Sequence, residues 1–104
     1  MEKKYTVWFN TGFYEAHPET VCAFSEQEAV DKAVDKLEKE NSPLVSDFYE
    51  IADLCNTGET VDEYAERNNL VCAGNHGLYC SLLSIKECVL NVVQYLPFQK
   101  VPTK

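Results

Sequence analysis

Carboxylates are concentrated in one stretch of this chain of 104 residues, without a positive charge among them. From Glu40 to Glu66 there are eight carboxylates and no Lys or Arg, and Arg67, the only Arg of the chain, follows directly. Paired carboxylates can act as general acid and base, and carboxylates on a surface can attract a basic partner. We call these eight residues the acidic band: Glu40, Asp47, Glu50, Asp53, Glu59, Asp62, Glu63 and Glu66.

Two interpretations of the acidic band stay open at the level of sequence. In one, it is a solvated helical face that keeps a small protein soluble. In the other, carboxylates spaced on helices occupy the positions that phosphates would take and meet a basic protein, such as a nucleic-acid-binding protein. The second interpretation predicts these binding residues, brought together on two short helices: Glu50, Asp53, Asp62, Glu63 and Glu66.

Cysteine and histidine offer a different chemistry near the end of the chain. Cys72, His76 and Cys80 are four residues apart and Cys88 follows, but zinc sites typically use tighter spacing. A nucleophilic cysteine needs a histidine and an orienting group, which Asn75 beside His76 could supply. Because no cysteine lies in a known catalytic signature, we expect no metal, no cofactor and no catalytic residue.

The charge balance and the cysteines limit which ligands and which cellular compartment the sequence predicts. A net charge of −8 argues against direct binding to nucleic acid or to an anionic membrane, because phosphate contacts need Lys and Arg. Five cysteines without a C-x-x-C pair favour free, reduced and mostly buried thiols in a cytoplasmic protein. No apolar run is long enough to predict a transmembrane helix.

The first half of the chain predicts a β-hairpin followed by a helix. Residues 5–9 and 20–24 are rich in β-branched and aromatic side chains and predict two strands, and His17-Pro18 is expected to end any strand that continues through residues 13–15. Ser25 and Glu28 predict a capping box at the start of a helix over about residues 26–40. Its apolar residues recur at helical spacing, and the opposite face carries Asp31, Lys32, Asp35, Lys36 and Lys39.

The second half predicts two short helices, a second hairpin and a last helix. Ser46 is expected to cap the first short helix, with Phe48, Ile51 and Leu54 facing inward, and Thr60 and Glu63 predict a capping box for the next. Residues 70–73 and 78–82 flank a Gly-rich turn. The interval 85–96 fits either a strand or a helix; the spacing of its polar residues and a Ser84–Glu87 capping box favour a helix.

This order, β-β-α-α-α-β-β-α, predicts a single α+β domain over residues 1–104, with an antiparallel sheet of two hairpins covered by helices on one face. Residues 97–104 are expected to form an extended or disordered tail. The predicted core is Val7, Phe9, Val21, Phe24, Val30, Val34, Leu37, Ile51, Leu54, Val71, Val89, Val92 and Val93.

The opening of the chain resembles small uncharacterised proteins of bacterial phages and mobile elements. The resemblance lies in residues 4–9 and 23–29, where a hairpin leads into a helix that begins with an S-x-x-E-A pattern. It covers about the first 40 residues and implies a role such as inhibition of a host nuclease or accessory regulation. It assigns no functional residue.

We therefore expect a non-enzymatic protein-binding module that presents the acidic band to a basic protein. The alternative is a structural or regulatory homo-oligomer, for instance a homodimer paired through strand edges or the last helix. A Cys/His metal protein or cysteine-dependent enzyme comes third.

Overall fold

The computed structural model describes residues 1–88, and these form five strands and three helices of an α+β fold. The seven elements predicted over this range occur in the predicted order, and a two-residue strand, Val45–Ser46, is added between the first and second helices. The elements are β1 (Lys3–Phe9), β2 (His17–Ala23), α1 (Glu26–Lys39), β3 (Val45–Ser46), α2 (Phe48–Leu54), α3 (Val61–Arg67), β4 (Leu70–Ala73) and β5 (Leu78–Glu87).

The long strand β5 joins the two hairpins into one antiparallel sheet. Its first part pairs with both β4 and the short strand β3, which therefore lie on opposite edges of it. Its last part pairs with β1, with Val7 opposite Ile85, and β1 pairs in turn with β2. The pairing of β1 with β5 therefore joins the first hairpin to the second in one sheet.

Helix α1 covers one face of the sheet, and the core lies between them. Tyr5, Val7 and Phe9 alternate along β1 toward the helix, as the two-residue period of a strand requires. The helix contributes Ala29, Val30, Ala33, Val34 and Leu37, spaced at three and four residues. Ala73, Leu78 and Cys80 close the core from the second hairpin.

The predicted core is confirmed where periodicity and tertiary contact agree. Val7, Phe9, Val30, Val34, Leu37 and Ile51 are buried, and Val21 is partly buried against the core. Three predicted core residues are wrong, because Phe24, Leu54 and Val71 are exposed. Phe24 follows the last residue of β2 and lies just before Ser25, the residue that caps α1, so neither element sets which way it faces. Val89, Val92 and Val93 lie outside the described residues.

The predicted start of the last helix is wrong. Ser84 to Glu87 form the end of β5, and Tyr5, Val7 and Trp8 of β1 lie opposite this segment. Pairing with β1 supplies hydrogen bonds that a capping box at Ser84 would otherwise have provided, and Ile85 packs against the core from the strand. The rest of the interval predicted as helix, and the predicted tail, lie outside the described residues.

His17 and Pro18 are the first residues of β2, which therefore begins three residues before the strand predicted over residues 20–24. Pro18 fits because β2 is an edge strand, where a residue without an N–H leaves no ladder hydrogen bond unmade. A seven-residue connection over residues 10–16 then joins β1 to β2. Thr11 closes this connection, since its hydroxyl donates to Glu15 O and accepts from Phe13 N.

The polar face of α1 holds the β4–β5 turn. Asp31 Oδ1 accepts from Gly74 N at 2.9 Å, and Asp35 Oδ1 accepts from Asn75 N at 2.8 Å. The sequence placed both carboxylates on a solvated face, and only the tertiary structure brings the turn to them. None of the helices found among residues 1–88 has the length and apolar character needed to cross a membrane.

Candidate functional site

Helix α2 begins at a capping box that uses one of the predicted binding residues. Asp47 Oδ1 accepts from Glu50 N at 2.8 Å, and Glu50 Oε1 accepts from Asp47 N at 2.9 Å. The predicted cap, Ser46, is wrong by one residue because Ser46 pairs with Tyr79 in the sheet. The Glu50 carboxylate therefore serves the helix start, although its side chain is exposed.

Helix α3 begins at the capping box that the sequence predicts. Thr60 Oγ1 accepts from Glu63 N at 3.1 Å, and Glu63 Oε1 accepts from Thr60 N at 2.8 Å. Glu63 was assigned both to this box and to the binding face. The geometry shows the capping box, so substitution of Glu63 would destabilise the start of α3 as well as affect any interface.

The only arginine is held within the acidic band. Arg67 donates to both carboxylate oxygens of Glu59, at 2.6 and 3.2 Å, and its guanidinium lies 5.0 Å from the centre of the Tyr64 ring. Glu59 also accepts from Asn56 N at 3.0 Å. The hydrogen bond from Arg67 lowers the pKa of Glu59, so this carboxylate stays ionised and paired.

The side chains of three predicted binding residues take no part in helix capping or in the ion pair with Arg67. Asp53, Asp62 and Glu66 are exposed, and their carboxylates have no hydrogen-bonding or ion-pair partner among residues 1–88. Helices α2 and α3 are in contact, so these carboxylates belong to neighbouring elements. The acidic band thus divides into carboxylates that hold the helices and carboxylates that face solvent.

Apolar side chains stand among the acidic ones on α2. Phe48, Tyr49 and Leu54 are 51%, 77% and 58% exposed, while Ile51 is buried. The sequence predicted Phe48 and Leu54 to face inward with Ile51. The helix makes about two turns but buries only Ile51, so Phe48 and Leu54, three residues to either side, are left at the surface.

A polar cavity of about 410 Å³ lies between the end of α1 and the start of α2. Glu38, Asp47 and Glu50 contribute to its wall, together with Ser42 and Ser46. Glu38 precedes the acidic band, and only the return of the chain through β3 brings it near Glu50. His76 lies close by, since its Nδ1 is 2.8 Å from Glu38 Oε1, a contact that raises the pKa of His76.

The Cys/His arrangement does not form a cluster. In the hairpin Cys72 pairs with Tyr79 and Cys80 pairs with Val71, so the two cysteines occupy successive pairs and point to opposite faces. Within residues 1–88 no three His, Cys, Asp or Glu side chains are placed to hold a metal ion. Burial raises the pKa of the Cys80 thiol to about 11, which disfavours the thiolate.

The prediction of mostly buried cysteines is wrong. Only Cys80 is buried, whereas Cys22 and Cys72 are exposed and Cys55 and Cys88 are intermediate. Cys22 lies on the face of the edge strand β2 that is turned away from α1, and Cys72 on the face of β4 opposite to buried Ala73. The apolar runs around them are strands with one solvent-facing side, which a count of apolar residues does not reveal.

A buried carboxylate that the sequence did not single out links β2 to α1. Glu19 is only 6% exposed, with Lys36 Nζ at 2.9 Å and His17 Nε2 at 2.5 Å from its two oxygens. Burial raises the pKa of Glu19, but the bonds from Lys36 and His17 outweigh it, and the pKa lies below its ordinary value. The available signal was the two-residue alternation with Val21 and Ala23, which places Glu19 on the side of β2 that faces the core.

Comparison of the chain with protein-family models, with curated proteins and with solved structures found no match.

Proposed function

We propose that this protein is a non-enzymatic protein-binding module whose α2–α3 surface receives a basic protein. The observation that supports the proposal is the set of solvent-facing carboxylates Asp53, Asp62 and Glu66, which have no counter-charge among residues 1–88. The one nearby guanidinium, Arg67, is already bound to Glu59.

The electrostatics favour association with a cation-rich surface. The chain carries a net charge of −8, and carboxylates on adjacent helices repel one another at low salt. A docked Lys or Arg relieves that repulsion, so the attraction should accelerate encounter and weaken as salt rises. Inhibition of a nucleic-acid-binding enzyme, or accessory regulation of one, is the kind of role that such a surface would serve.

The alternative proposal is a homodimer through strand edges, and pairing through the edge of β2 receives less support. The outer edge of β2 is obstructed at three positions: Pro18 has no N–H, Lys32 Nζ donates to Cys22 O at 2.7 Å, and Glu28 Oε1 accepts from Phe24 N at 2.6 Å. Such features are those by which natural proteins block pairing between edges. Dimerisation of this strand would need these side chains to move.

Capture from the lysate of its own cell, at low salt and with stepwise salt elution, tests the proposal. The bait is the full chain, compared with a variant carrying Asp53→Asn, Asp62→Asn and Glu66→Gln. We expect a basic protein to bind the wild type and to be lost from the variant. A matched control, Glu15→Gln with Glu26→Gln, removes exposed carboxylates outside the acidic band and should retain the partner. Equal capture by all three baits would contradict the proposal.

A further inference from the structure

We infer that the outer face of α2 docks a polypeptide segment in which an arginine lies beside an apolar residue. This inference rests on the proposed function and names the chemistry of the partner at that surface. The face consists of Phe48, Tyr49, Ala52 and Asp53, which we call the α2 face.

Helical geometry makes these four residues neighbours. Phe48 and Ala52 are four residues apart, as are Tyr49 and Asp53, so the two pairs lie side by side along the helix. All four are exposed, and the rings of Phe48 and Tyr49 meet edge to face at 5.6 Å. The result is an exposed aromatic patch bordered by a carboxylate. Tyr49 and Asp53 lie on the side of the helix away from the buried Ile51, and Phe48 lies between the two sides.

The start and end of the neighbouring helix, α3, show what an aromatic ring beside a carboxylate can bind. There the Arg67 guanidinium is held by the Glu59 carboxylate and lies over the Tyr64 ring at 5.0 Å. Tyr49 and Asp53 present the same two groups, an aromatic ring and a carboxylate, with no cation of residues 1–88 on them. An arginine is favoured over a lysine because its planar guanidinium can stack on a ring while it donates to a carboxylate.

The aromatic patch explains why the partner needs an apolar residue as well. Phe48 is half exposed beside Tyr49, and a docked apolar side chain would remove both rings from water. Charge complementarity selects the occupant, since the acidic band repels an acidic segment and attracts a basic one. Aromatic residues at the centre and charges at the rim are the usual composition of a protein interface.

Titration of the full chain with synthetic peptides, followed by amide NMR, tests the inference. The first peptide repeats arginine, leucine and serine; the second has serine for leucine; the third has citrulline for arginine. We expect the first to bind at low salt and to shift α2 resonances, and the other two to bind more weakly. Tyr49→Ser should weaken binding of the first peptide about tenfold, the effect of an anchor residue.

The matched control is Tyr14→Ser, which removes an exposed tyrosine of the β1–β2 connection and should leave binding unchanged. Equal binding of the leucine and serine peptides, with no effect of Tyr49→Ser, would overturn the inference and leave the proposed function standing. No binding of any peptide, and no salt effect, would count against both. Contacts from α2 to residues after Cys88 in the free protein would show that the chain itself occupies the face, and the inference would be wrong.

Discussion

Glu19 is the residue whose environment departs most from what its type suggests. A carboxylate usually lies at the surface, yet this one is buried and bound by Lys36 and His17. Its ion pair with Lys36 joins the edge strand β2 to α1. A buried charge of this kind stabilises a fold only while its hydrogen-bonding partners remain in place.

The lowered pKa of Glu19 predicts how stability depends on pH. Its contribution is fully present above the ordinary value of 4.5 and is lost as the pH falls from there through the lower pKa of the folded state. Glu19→Gln should therefore reduce the free energy of unfolding at neutral pH by about 1–3 kcal/mol, and less in acid. Urea unfolding of both proteins between neutral pH and about pH 3 measures the difference. A difference that stays constant with pH would contradict the assignment.

Gly74 gives a second prediction at the same scale. Its φ is +86°, and an added Cβ would lie 2.8 Å from Asp35 Oδ1 and 2.9 Å from Val34 Cγ1. Gly74→Ala should therefore lower the free energy of unfolding by about 2–4 kcal/mol, which is more than the unfavourable backbone conformation alone would cause. Gly58 is the matched control, since its φ is +83° with open space around it, and Gly58→Ala should cost about 1 kcal/mol. Equal melting temperatures for the two variants would show that the turn does not pack on α1.

At the level of elements, the short helices depend on their caps. Helices of seven residues are too short to persist by propensity, so they depend on packing against the rest of the molecule and on the capping boxes at Asp47 and Thr60. The same carboxylates that make the acidic band negative also satisfy the free N–H groups at the helix starts. Part of the band is therefore structural, whatever the rest binds.

Cap substitutions check which residue begins α2. Asp47→Ala and Thr60→Ala should each lower the free energy of unfolding by about 1 kcal/mol, because each leaves a backbone N–H without its acceptor. Ser46→Ala, at the position that the sequence favoured, should have a smaller effect. Thermal unfolding of the three variants provides the comparison. A larger loss for Ser46→Ala than for Asp47→Ala would mean that the cap is misplaced.

The contact of α1 with the β4–β5 turn provides the other test at this scale. Asp31→Ala removes the acceptor of the partly buried Gly74 N–H and should cost about 1–2 kcal/mol. The amide of Gly74 should then exchange with solvent faster. Asp62→Ala, an exposed carboxylate without a partner among the described residues, should change stability by less than about 0.5 kcal/mol. Unchanged exchange at Gly74 would show that the hydrogen bond is not formed.

For the whole molecule, the excess of negative charge predicts a salt effect on stability. The melting temperature should rise from low to moderate salt, because screening reduces repulsion among the carboxylates. Asp62→Asn with Glu66→Gln should stabilise the free protein or leave it unchanged, and should reduce the salt effect. Glu63→Ala should destabilise it, because the acceptor of the Thr60 N–H is then lost. Calorimetry over a range of salt concentrations measures these melting temperatures. A melting temperature independent of salt would argue against strong repulsion among the carboxylates.

The sequence by itself determined the features that depend on near neighbours. The period of three and four residues and the Ser25 cap predicted α1 to within one residue of its end, and Thr60 and Glu63 predicted the start of α3. The glycines at 74 and 77 placed the second hairpin. Each of these signals acts within about one turn of chain, where the identity of the neighbours is already given.

The tertiary structure decided everything that depends on a distant partner. Residues 84–87 became strand because β1 lies alongside them, although their local pattern also fitted a helix start. Phe48 is exposed because only Ile51 of α2 is packed against the rest of the molecule, and Glu19 is buried because its register turns it toward α1. Periodicity shows which residues share a face, but only the packing of elements far apart in sequence decides whether that face meets water or protein.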